Sequence, residues 1–165
     1  MLVGLLLAMP LAALDLTPKL ADWKTEIERE SGIAVSIAEV QFNAAGDEMR
    51  LPPDTPRSEL MGRYLSSKEF ASEFRHMFAV MVHHKDVEPG DFLIMVNGAR
   101  RKDFAGAEEA VIGHELGHAM LRARRYPTPA FVPGVSGCLA IHSGDIVQHI
   151  LIRAELDRRG IAHVP

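Results

Sequence analysis

Three residues in the stretch 111–120 have the types and spacing for metal chemistry: His114, Glu115 and His118. On a helix, side chains four residues apart project from one face about one turn apart. Two imidazoles so placed can hold one Zn²⁺, each through a neutral ring nitrogen. Glu115 follows the first ligand and sits beside the metal without needing to bind it, where a carboxylate can take a proton from a water on the cation. The bland alternative is a surface helix with two solvated histidines. A solvated face normally carries charge, yet Val111, Ile112, Gly113, Leu116, Gly117, Ala119 and Met120 carry none. From this composition a chance match to His-Glu-x-x-His is about 3%. Two glycines inside a helix cost about 1 kcal/mol each against alanine, so Gly113 and Gly117 call for a packing or functional reason, such as close approach of a strand or of substrate.

These ten residues resemble the signature of the zinc metallopeptidases called zincins, in its stricter form: Val at the first position, uncharged residues between the ligands and an apolar residue closing. The resemblance is specific over residues 111–120 and loose over residues 90–160. It implies an α+β, zincin-like fold in which a small mixed or antiparallel sheet packs against the active-site helix. It also implies a hydrolytic zinc and a third protein ligand on a second, C-terminal helix. In that family the last strand before the helix lies at the mouth of the cleft, and its open edge pairs with substrate backbone, a general mode of peptide recognition. Residues 92–98 would then line the substrate.

A two-histidine site needs a third donor. The helix expected to supply it runs from about Asp145 to before Gly160, with Asp145 and Gln148 spaced as a capping box and Ser143 as a rival cap. His142, Asp145, His149 and Glu155 are the candidates. One zincin branch takes a Glu from a downstream helix, which favours Glu155. However, Arg158 and Arg159 at i+3 and i+4 explain Glu155 as an intrahelical ion pair. His149 shares its face with Ile146, Ile152 and Leu156, an inward-facing setting, and Asp145 one turn earlier can receive its second ring N–H. His149 is therefore the first choice and Glu155 the runner-up, and a core histidine satisfied by Asp145 alone is the alternative to a ligand. His83 and His84 are neighbours in an expected strand and point to opposite faces, so they read as structural or solvent-facing. His76 and His163 have no constellation around them. Tyr126, at the end of the active helix, is a candidate contact for a developing oxyanion, although packing is the commoner role.

The elements that must position these residues follow from pattern. Thr17 and Pro18 open a helix that carries Leu20, Trp23 and Ile27 on one face and stops near Gly32. Residues 33–42 alternate as a first strand, residues 43–57 are a loop, and residues 57–76 form one helix or two short ones. Residues 78–82 and 92–96 are two strands joined by a turn. Asp103 can cap the active helix, expected over about 106–124 with Glu108 and Glu109 in its first turns. Residues 126–144, with three prolines and three glycines, form a loop long enough to bring the second helix back over the first.

The chain has 165 residues, 47% hydrophobic and 24% charged, the size and composition of one globular domain spanning 15–165. A net charge of −4 gives no sign of a nucleic-acid partner. Arg122, Arg124 and Arg125 sit where a helix dipole favours cations. The single cysteine, Cys138, excludes Cys₂His₂ and Cys₄ zinc sites by count. Residues 1–14 are almost wholly apolar and resemble the core of a secretory signal peptide, with Ala12-Ala13 as a cleavage site, but no Lys or Arg precedes the run. The other reading of that run is a buried N-terminal helix. A signal peptide would make the protein secreted or periplasmic, a retained segment would give membrane contact, and otherwise the protein is cytoplasmic. The expected function is a small zinc metallopeptidase acting on a peptide or protein substrate with Glu115 as general base. The alternative is a non-catalytic binding or regulatory protein of zincin fold.

Overall fold

A computed structural model describes residues 14–43, 45–46, 48–51, 62, 66–82, 92–127 and 135–163, with backbone alone over 135–141. The apolar run Phe92–Asn97 forms strand β4, and all six of its residues are buried. Phe92, Ile94 and Val96 pack into one core, whereas Leu93 and Met95 pack into a second on the opposite face. A strand covered on both faces reads as continuous hydrophobic sequence rather than as an alternation. Strand β1 (Val35–Phe42) pairs with β4 in parallel, β2 (Met49–Arg50) pairs antiparallel with the end of β1, and β3 (Ala79–Val82) pairs antiparallel with β4. The sheet order is β2-β1-β4-β3, so the sheet is mixed. This corrects the expectation for residues 92–98. Pairing with β1 and β3 leaves β4 no open edge, and among the described residues the edge on this side of the sheet belongs to β3.

Helix α1 (Pro18–Ser31) starts and stops where its sequence predicts. Gly32 adopts φ 70°, and its N–H bonds back to Glu28 O, closing the helix in the left-handed turn that glycine tolerates best. Thr17 holds the cap position but does not cap. Its hydroxyl donates to Glu109 Oε1 at 2.5 Å and so ties the start of α1 to the start of the histidine-bearing helix. Over the region expected to hold one or two helices, the described residues form α2 (Lys68–Phe74), capped by Ser67 Oγ accepting from Phe70 N. Asn97, fully buried, donates from Nδ2 to the carbonyls of Phe74 and Met77 at 3.0 and 2.9 Å, and its Oδ1 accepts from Ala99 N at 3.1 Å. That one side chain fastens the turn after α2 to the end of β4.

A 3₁₀ helix over Gly98–Phe104 connects β4 to α3 (Glu108–Ala123). Asp103 lies inside that 3₁₀ segment, bonded to Arg100, so it does not cap α3, whose N-cap is Ala107. The last element, α4, spans Val135–Arg159, about ten residues more at its start than its composition suggested. Asp145, Gln148 and Ser143 are therefore interior helical residues and not caps. The loop expected over 126–144 is helix from 135 onward, and 128–134 lie outside the described residues. One core unites α1, α3, α4 and one sheet face through Trp23, Ile27, Leu116, Met120, Ile152 and Leu156, and the other holds α2 against the opposite face. No helix among the described residues is long and apolar enough to cross a membrane. The apolar run 1–13 and the pair His83-His84 lie outside the described residues.

Candidate metal centre and its cavity

Helices α3 and α4 approach each other through the glycines of the His-Glu-x-x-His stretch. A methyl group on Gly117 would stand 2.7 and 2.8 Å from Ile152 Cγ2 and Cγ1, and one on Gly113 would stand 2.9 Å from Leu156 Cδ2. Non-bonded carbons settle at about 3.5–4.0 Å, so neither position has room for a side chain. The packing reason expected for these glycines is present, and the neighbour is a helix rather than a strand or substrate. Ile152 lies three residues after His149, so the contact that needs Gly117 bare also sets His149 against α3.

The three imidazoles meet there. One ring nitrogen each from His114, His118 and His149 lies within 4.8 Å of the others, and the three residues are half-buried. His114 Nε2 and His118 Nε2 are 3.2 Å apart, and the rings of His149 and His114 stack at 5.0 Å between centroids. Metal–nitrogen bonds of about 2.0–2.1 Å in a tetrahedron put nitrogens about 3.3 Å apart. Burial, reinforced by the neighbouring imidazoles, lowers the His118 pKa to about 4 and also lowers that of His114. Both rings are thus uncharged at neutral pH and present lone pairs, the state a cation requires. Three nitrogen donors with no thiolate suit zinc and its late first-row neighbours better than magnesium or calcium.

Of the other candidates for third ligand, Glu155 lies outside the cluster and is engaged by two arginines. Its carboxylate is bound by Arg158 at 2.5 Å and Arg159 at 2.7 Å, and Arg159 continues to Glu26 of α1 at 2.7 Å. Those arginines hold the Glu155 pKa down at about 2. His142 is exposed and outside the cluster. Asp145 Oδ2 lies 3.6 Å from His149 Nδ1, too long for the expected hydrogen bond, and acts on the cluster as a nearby charge that opposes the lowering at His114 and His118. Gln148 of α4 lies close enough to His118 to oppose, weakly, the lowering of its pKa. Sequence reasoning gave Gln148 only a capping role.

Glu115 is not one of the clustered ligands, and its Oε2 accepts the Met81 N–H of β3 at 2.7 Å. Burial pushes its pKa up to about 7, against the opposing pull of that hydrogen bond. A nearby cation favours the ionised form and would lower it again.

Beside the cluster lies a cavity of about 540 Å³, whose walls include Phe78, Val111, His114, Glu115, Ile146, His149, Ile150, Arg153 and His163. This is within the usual size of small-molecule and peptide side-chain pockets. Among the ionisable residues of this wall, Arg153 and His163 were not singled out as functional from sequence. His163, read as having no constellation, bonds Asp157 through Nε2 at 2.5 Å, and its Nδ1 is buried without a partner among the described residues. Arg153 follows His149 by one helical turn. Tyr126 is not part of the cavity wall. It packs against the main core as its backbone N–H closes α3 onto Leu121 O. No protein-family model, curated protein or solved structure matches the chain.

Proposed function

We propose that this protein is a small zinc-dependent hydrolase, a metallopeptidase of zincin type. The observation that carries the reading is that His149, more than thirty residues beyond His114-Glu115-x-x-His118, joins the two histidines and, with His114 and Glu115, lines a cavity. A core histidine satisfied by Asp145 alone would need neither the company of two more imidazoles nor an adjoining cavity.

His114, His118 and His149 would hold the zinc, which when bound supplies a Lewis acid for a carbonyl oxygen and acidifies a water at its open position. Gln148, beside His118, is the polar side chain of α4 placed to orient that ring. Glu115 carries the proton. Met81 N–H fixes its Oε2, so the carboxylate is held at a set angle, ready to accept a proton from the attacking water and return it to the leaving amine. Phe78, Val111, Ile146 and Ile150 give the cavity beside that exchange an apolar wall. Strand β3, tied to Glu115 through the Met81 N–H, borders the site where residues 92–98 were expected to.

The test is Glu115→Gln. The variant should bind zinc as the parent does and lose peptide cleavage by at least roughly a hundredfold, the range for a lost general base. Zinc content by elemental analysis and chelator-sensitive cleavage of a peptide library are the readouts. Undiminished cleavage would remove Glu115 from the mechanism. Absence of any cleavage by zinc-loaded parent protein would favour a binding role for the same fold.

A further inference from the structure

Arg153 is exposed on the cavity wall and makes no hydrogen bond or ion pair among the described residues. The neighbouring arginines of α4 behave differently. Arg158 and Arg159 are both spent on Glu155 and Glu26. The acid one turn beyond Arg153, Asp157, is bonded to His163, and the carboxylate inside the cavity, Glu115, is bonded to Met81 N–H. The cavity thus holds a permanent cation whose nearby acids are engaged elsewhere. The same wall carries Ile146 and Ile150, which are 59% and 60% exposed, unusually open for large apolar side chains in a helix. A guanidinium beside apolar surface is suited to a carboxylate attached to an apolar residue, through paired N–H···O bonds.

From these features we infer that Arg153 selects substrates bearing a carboxylate close to the scissile bond, with an apolar side chain seated on Ile146 and Ile150. Four helical residues separate His149 from Arg153, about 6 Å along the axis. An extended peptide advances about 3.3 Å per residue, so the carboxylate falls one or two residues from the bond cut at the metal. It belongs either to the substrate C-terminus or to an Asp or Glu side chain. This inference rests on the hydrolase reading for its consequence, but Arg153 can be tested apart from turnover.

The experiment uses N-acetylated random hexapeptide pools in four forms: free or amidated C-terminus, each with or without Asp and Glu. Zinc-loaded parent and Arg153→Gln proteins are compared for relative kcat/KM by mass spectrometry. The zinc-loaded Glu115→Gln protein, with and without Arg153→Gln, is compared for equilibrium binding of the same pools. Parent protein should favour the carboxylate-bearing pools by roughly tenfold or more, as one charge-assisted hydrogen bond predicts, and Arg153→Gln should bring the ratio near one. Preference for the free C-terminus without Asp and Glu assigns the terminal carboxylate, and preference for Asp and Glu in amidated peptides assigns the side chain. If nothing is cleaved but the binding preference depends on Arg153, the carboxylate site stands and the peptidase reading falls. No preference in the parent, or the same preference after Arg153→Gln, overturns the inference.

Discussion

Glu155 and His149 lie six residues apart on one helix, and their surroundings assign them opposite tasks. Arg158 and Arg159 saturate the Glu155 carboxylate and link it through Glu26 to α1, so its charge is structural. Glu155→Gln should leave zinc stoichiometry intact while changing acid stability. The sign follows from the lowered pKa. A carboxylate titrating near 2 in the folded state and higher in the unfolded chain contributes stability at neutral pH, and loses it as pH falls from the ordinary carboxylate range toward 2. Thermal melts at neutral pH and near pH 3 should therefore show a smaller acid-induced drop for the variant than for the parent. An equal drop in both proteins would mean the ion pairs contribute nothing net. For the opposite task, His149→Ala should abolish tight metal binding as completely as His114→Ala does.

At the scale of elements, two packing contacts set the site. Gly117 lets Ile152 come close enough for α4 to present His149 to α3. Gly117→Ala is a good substitution by helix propensity and a poor one by packing. The clash with Ile152 should cost about 1–3 kcal/mol and, by pushing the helices apart, weaken zinc affinity by roughly tenfold or more. Calorimetric titration with zinc and a denaturant melt check the two halves, and a stabilised variant with parental affinity would show that the helices do not need this approach. Asn97 performs the corresponding task for the sheet. Asn97→Ala removes the hydrogen bonds that its Nδ2 gives to the carbonyls of Phe74 and Met77 and should lower stability by about 1–3 kcal/mol while zinc stoichiometry is unchanged.

Across the whole molecule, what could be read from sequence was local. His114, Glu115 and His118 declare themselves because one helical turn fixes their relation, and His149 did so through Ile152 and Leu156 on its own face. Helix α1 was legible from Thr17-Pro18 to Gly32 for the same reason. What was hidden depends on distant partners. The parallel pairing of β1 with β4, which buries β4 and moves the open edge to β3, is invisible to a hairpin reading of residues 78–96. The first ten residues of α4 carry Gly137, Ser143 and Gly144, whose propensities argue for a loop, and the helix overrides them. Arg153 and His163 became notable only when α3 and α4 enclosed a cavity with them.

A metal held between two helices should stabilise the fold as a whole. At free zinc about a hundredfold above Kd, the linkage is about 2.7 kcal/mol, or roughly 5–10 °C in Tm for a domain of this size. Adding a chelator should reverse the gain. The most direct check on the central claim is elemental analysis of protein purified without added metal, for the parent chain beside His149→Ala. The account predicts about one zinc per parent chain and close to none in the variant. A metal-free parent, or a variant that retains its zinc, would contradict it.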